Sequence, residues 1–138
     1  MDADLSAAIA AAEGRAMVWG RDDCCLWVAD IVRARTGLDG AAAFRGRYRS
    51  RHGAAKALKA VHGGGLIEAI TAIAAQFGWP VIDADAAADG DIAIIDTTLG
   101  PALAIMSGDY WIGRIDGGVS ATPRDLAVKA WRVTCRPS

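Results

Sequence analysis

The stretch Trp19-Gly20-Arg21-Asp22-Asp23-Cys24-Cys25-Leu26-Trp27-Val28-Ala29-Asp30 decides how the chain reads. A glycine-containing turn runs into two aspartates, and either is a good N-cap. A short carboxylate accepts hydrogen bonds from the unpaired N–H groups of a first helical turn. Gly37 is a good residue to end the same helix, because it adopts the left-handed conformation without strain. Between them Cys24, Val28, Ile31 and Val32 recur at helical spacing, with Asp30, Arg33 and Thr36 roughly opposite. The pattern predicts the most hydrophobic helix of the chain, central in the fold, with Cys24 on its buried side at the N-terminal edge. The partial positive charge of a helix N-terminus favours thiolate over thiol, so this cysteine is a candidate nucleophile.

Upstream, Asp2 to Gly14 is alanine-rich, acidic at its start and closed by glycine, which predicts a capped helix with a small apolar face at Leu5 and Ile9. Downstream, Leu38 to Tyr48 reads as a loop with a helical turn, anchored by Phe44, with Arg45-Gly46-Arg47-Tyr48 polar and exposed. Ser50 caps a third helix to about Val61, with Ala54, Leu58 and Val61 on one face, and Gly63-Gly64-Gly65 ends it. A fourth helix runs from Leu66 to Phe77 with Ile67, Ile70, Ile73 and Ala74, and stops at Gly78.

After Pro80 short apolar runs between turn residues take over. Strands are expected at Val81-Ile82, Ile92–Ile95, Ala102–Met106, Tyr110–Gly113 and Ala130–Val133. Asp83 to Asp89 is a loop, Thr97 to Pro101 a turn and Ser107-Gly108-Asp109 a hairpin turn. Asp116-Gly117-Gly118 ends a strand, and Pro123-Arg124 opens a helical turn. Helices first and an antiparallel sheet second make an α+β architecture.

Size and composition fit one domain over residues 1–138. Hydrophobic residues are 53% and charged residues 22%, a globular balance. A formal net charge of -1 argues against nucleic acid as a partner. No apolar run reaches the length of a membrane span, so no membrane insertion is expected. Met1-Asp2-Ala3-Asp4 lacks the basic start of a secretory signal, which places folding in a cytoplasm. Three cysteines do not form a disulfide framework. His52 and His62 have no cysteine at metal-ligand spacing, so neither metal nor cofactor is expected.

An Asp-Cys at the start of a central helix, Asp23-Cys24, followed by a Gly-Asp opening a small sheet, Gly90-Asp91, resembles the NlpC/P60 papain-like cysteine hydrolases. A second likeness covers more of the chain. Trp19 to Cys25, Ala29-Asp30, Thr36-Gly37, Phe44 to Tyr48, Gly90-Asp91 and Gly100 to Leu103 are similar to small uncharacterised proteins of phage, prophage and gene-transfer-agent tail-gene clusters. The resemblance implies a papain-like fold, N-terminal helices on a C-terminal antiparallel sheet, and Cys24 as the nucleophile position. It also implies assembly in a bacterial host cytoplasm into a virion tail, with tail-tip or hub proteins as partners and peptidoglycan as the substrate of any activity. In that superfamily the catalytic histidine opens the second sheet strand; in Ala102-Leu103-Ala104-Ile105 alanine takes that place.

A cysteine nucleophile needs a base within hydrogen-bond reach and a group that orients the base. Asp22 and Asp23 beside Cys24 oppose thiolate formation. His62, at the end of the third helix, is the remaining candidate base, although its simplest role is to meet the helix dipole; His52 reads as a solvated residue at the start of that helix. Cys25 and Cys135 read as core thiols, and Asp91 as an acceptor for turn amides. Trp19, Trp79 and Trp111 either pack in the core or line a glycan or peptide groove. The run Arg45 to Arg51 reads as a solvated loop or a protein interface. Two functions follow: a tail-tip or hub component with a degenerate site, or a peptidoglycan endopeptidase using Cys24. A third is a module that binds ligand in the old groove without chemistry.

Overall fold

Gly20 and Asp23 set the geometry from which the rest of the fold is built. Gly20 has φ +86°, and a Cβ there would lie 2.1 Å from the Tyr48 carbonyl oxygen, so only glycine fits. The turn it makes delivers the chain to Asp23, whose carboxylate caps a helix over Cys24–Thr36 by accepting from the Cys25 and Leu26 amides. The fold is that of a computed structural model that describes residues 3–135. Four helices come first: α1 (Ala3–Ala12), α2 (Cys24–Thr36), α3 (Arg51–His62) and α4 (Leu66–Phe77). The expected cap Asp2 lies outside the described residues.

Six strands follow: β1 (Val81–Ile82), β2 (Ile92–Thr97), β3 (Gly100–Ser107), β4 (Tyr110–Ile115), β5 (Gly118–Pro123) and β6 (Ala127–Trp131). They form one antiparallel sheet in the order β1-β6-β2-β3-β4-β5. Short 3-10 turns lie at Ala84–Ala86 and Arg124–Leu126. The fold class is α+β.

Side-chain alternation sorts the sheet into two faces. Ile92, Ile94, Leu103, Ile105, Ile112 and Trp131 turn to the helices and join Val28, Ile31, Ile70 and Ile73 in the main core. Ala93, Ile95, Ala104, Met106, Trp111 and Ala130 turn the other way, to a second core that includes Ala87. α2 lies across β3 and β4. Its centrality comes from position and not from hydrophobicity: it carries three charged residues, whereas α4 carries only Glu68.

Several expectations change. Val61 faces solvent, because α3 packs on the protein through Ala57 and Leu58 and has no fully buried residue. β5 stands between the expected Asp116-Gly117-Gly118 turn and the Pro123-Arg124 turn, where no strand was expected; Val119 to Thr122 alternate weakly, and pairing with β4 makes the strand. The last strand is Ala127–Trp131, not Ala130–Val133, because β6 must pair with β2 and β1. The segment Arg45 to Tyr48 is not simply solvated. Arg45 holds Asp30 at 2.5 Å and Asp39 at 3.0 Å, and the Tyr48 hydroxyl donates to Asp23. Cys135 is exposed, with its thiol 3.9 Å from the Arg35 carbonyl, so it is not a core residue.

Candidate active site

The site forms around the first turn of α2. Asp23 is 1% exposed and accepts four hydrogen bonds. Oδ1 receives the Cys25 amide at 3.1 Å and the Leu26 amide at 3.0 Å; Oδ2 receives the Gly20 amide at 2.9 Å and the Tyr48 hydroxyl at 2.6 Å. Each oxygen has two donors, so this carboxylate is fully used as a structural hub. It ties the Gly20 turn, the start of α2 and the segment before α3 together. Tyr48 titrates far above an ordinary phenol, first because it is buried and then because its proton is held by Asp23.

Cys24 is the first residue of α2 and Cys25 the second, with their sulfurs 4.0 Å apart. The two thiols divide their roles. Cys24 is held below the usual thiol range, chiefly by its hydrogen bond with Cys25 and also by helix amides, against burial and the Asp23 charge. Cys25 is pushed well above that range by the same contact, and then by burial. Cys24 therefore ionises first while Cys25 keeps its proton.

The two histidines lie on α3. His62 closes the last turn of α3 and stacks on Phe44, with ring centroids 5.7 Å apart. Among the described residues the hydrogen-bond partner of the Cys24 sulfur is the Cys25 sulfur. His52 is exposed, as expected of a helix-start residue. Ala102 corrects the sequence reading: its side chain packs with Ile95 and Ala104 on the sheet face turned away from the helices. The β3 residue that faces α2 is Leu103, which lines an apolar cavity of about 80 Å³ together with Cys25, Phe44, Leu58, Ile70 and Ile73. Neither residue titrates.

A second cluster lies beside this one, and its key residue is not among the candidates the sequence suggested. Arg114 on β4 is 2% exposed. Its guanidinium donates to Asp22 at 2.9 Å, to the carbonyls of Arg15 and Ala16 at 3.0 and 3.2 Å, and to those of Ile115 and Gly118. Arg15 also reaches Asp22, at 2.7 Å. Burial alone would raise the Asp22 pKa, but hydrogen bonds from Arg114 and Arg15 outweigh it and hold the carboxyl below its ordinary value. Of the two aspartates before Cys24, one caps the helix and the other anchors the loop to the sheet. An arginine inside an apolar strand could have signalled a buried ion pair.

Asp91 accepts the Ala88 and Val133 amides and pairs with Arg132 at 3.3 Å, the turn-holding role expected of it. Trp79 and Trp111 do not line a common groove. Trp79 belongs to the helix-facing core and Trp111 to the opposite one, where its indole donates to the Arg124 carbonyl. Among the described residues no group of three or more His, Cys, Asp and Glu side chains is placed to hold a metal ion. No single helix is long and apolar enough to cross a membrane.

A family model described as Domain of unknown function (DUF6950) matches residues 1–133. No curated protein matches the chain.

Proposed function

The chain belongs to the DUF6950 family, a domain of unknown function, so its role must be argued from the site, and we propose a papain-like, NlpC/P60-type domain that serves as a structural component of a phage-type tail tip or hub. One observation supports the non-catalytic part of this reading: the strand residue facing α2, next to Cys25, is the apolar Leu103. A thiol without a base loses roughly 10²–10⁴-fold of amide hydrolysis from that term alone. The assignment to a tail comes from the likeness of Trp19 to Cys25, Phe44 to Tyr48 and Gly100 to Leu103 to tail-cluster proteins. Tail-tip or hub proteins are then the partners, and the virion tail is the location.

Particles carrying Cys24→Ala test it. The expected result is normal assembly, normal infectivity and the protein still co-purifying with the tail. Tails that assemble and infect without this protein would overturn the structural role.

The lowered Cys24 pKa favours a second reading, a cysteine endopeptidase acting on peptidoglycan peptides during cell-wall penetration. Its base would come from a partner chain. Tails that cleave isolated sacculi with wild-type protein and fail with Cys24→Ala would establish it. Equal cleavage by both would remove it.

A further inference from the structure

Between Gly40 and Ile67 lie six of the fifteen basic residues and none of the sixteen acidic ones. The segment covers the outer helix α3 and its approach. Arg45 is engaged by Asp30 and Asp39, and Arg51 donates to the Leu99 carbonyl. Arg47, Arg49, Lys56 and Lys59 are exposed and make no ion pair among the described residues. This is a basic face with its charges unspent.

Its surroundings narrow the partner. Single-stranded nucleic acid needs exposed aromatic rings for its bases to stack on. Here Phe44 is buried and the Tyr48 hydroxyl is committed to Asp23. A membrane-surface helix needs an outward apolar face. α3 turns Ala57 and Leu58 inward, and Val61 is its one exposed large apolar residue. The fitting partner is an acidic protein surface.

The chain carries such a surface itself. From Pro80 to Asp125 there are eight acidic residues against Arg114 and Arg124. Asp83, Asp85 and Asp125 are exposed on or beside the two 3-10 turns. Arg124 joins those turns to the β3–β4 hairpin through the Ala84, Ala87 and Gly108 carbonyls and Asp109. Ala87, next to the first turn, belongs to the core on the sheet face away from the helices, whereas α3 belongs to the helix layer. The basic and acidic surfaces therefore lie on opposite layers of one molecule.

We propose that the basic face of α3 docks on the acidic 3-10-turn face of a second copy of this chain, head to tail. Such a contact uses two different surfaces, so it repeats and either closes into a ring or runs on as a file. The proposal goes beyond the reading of the Cys24 site and does not depend on it.

Sedimentation velocity of the full chain is the test, at roughly 0.02 M and roughly 0.5 M salt, since the screening length falls from about 20 Å to about 4 Å over that range. The expected result is a fast-sedimenting species at low salt that is lost at high salt. Lys56→Glu/Lys59→Glu reverses two of the four unpaired cations of the basic face, and Asp83→Lys/Asp125→Lys reverses two carboxylates of the acidic one. Each variant alone should stay monomeric, and mixing the two should restore the fast species. Circular dichroism checks that both fold; if either does not, the single variants Lys59→Glu and Asp125→Lys take their place. Wild-type protein that stays monomeric at low salt would overturn the proposal. So would association that both reversals leave unchanged. Monomer that instead binds duplex DNA through Lys56 and Lys59 would assign the face to nucleic acid.

Discussion

Asp23 shows how one side chain fixes the function of its neighbours. With four donors on its two oxygens, it holds the first turn of α2 but has no lone pair left to orient a base. Hydrogen bonds to charged groups contribute about 1.5–3 kcal/mol, so Tyr48→Phe should lower urea-unfolding stability by that order. The folded-state pKa of Tyr48 is raised. Its stabilising effect is present below the unfolded value of about 10 and is lost as pH rises above it. In an absorbance titration one of the two tyrosines should fail to ionise until the protein unfolds. A Tyr48 that titrates in folded protein at pH 10 would contradict the Asp23 contact. At the thiols, Cys25→Ala removes the donor that holds the Cys24 pKa down. The pH profile of Cys24 alkylation, followed by mass spectrometry, should move to higher pH. An unchanged profile would show that the helix terminus alone sets the thiol.

Elements are held by caps that the sequence announces and by parity that it does not. Ser50 accepts from the Gly53 amide at 3.0 Å, and Ser50→Ala should cost about 1 kcal/mol, measurable as a lower urea midpoint. Gly37 and Gly63 close α2 and α3 in left-handed conformations, at the positions their sequence suggests. β3 illustrates the limit. A pattern of alternating residues reveals two faces but not which face the helices cover; the helix layer covers the face of Leu103, so Ala102 points away from the cysteines. Ala102→His should therefore leave Cys24 alkylation unchanged. A histidine there that shifts the alkylation profile would place residue 102 on the α2 side. β5 was illegible for a related reason. Its uncharged, weakly alternating residues become a strand only because β4 supplies hydrogen bonds along one edge.

At the scale of the whole molecule, a buried ion pair, Arg114–Asp22, joins the helical half to the sheet. Arg114 links the turn before α2 to β4 and β5. Removing one partner of a buried pair leaves an uncompensated charge or stranded acceptors, so Arg114→Leu should destabilise by about 3–5 kcal/mol in urea. Arg114→Lys should not rescue it, since an ammonium cannot span the same fork of acceptors. Asp39 is held below its ordinary pKa by the Arg45 hydrogen bond, and Asp22 by Arg114 and Arg15 acting against burial. A depressed carboxyl stabilises the fold above its unfolded value of 3.8 and loses that contribution as pH falls through the folded value. Urea midpoints should thus drop steeply below about pH 4, and less steeply in Asp39→Asn. By itself the sequence determined the α+β order, the helix ends and the turns, because caps, glycines and apolar periodicity act within a few residues of chain. It also placed Cys24 at a helix N-terminus. Only the tertiary structure decided that Asp23 is held by Tyr48, that Leu103 lies on the Cys25 side of α2, and that Arg114 is buried against Asp22. The Tyr48–Asp23 and Arg114–Asp22 contacts join residues 25 and 92 positions apart, and which groups meet depends on how the layers pack. The stretch from Trp19 to Asp30 therefore specifies a helix N-terminus with a thiol on it, while the packing around it decides which groups that thiol meets.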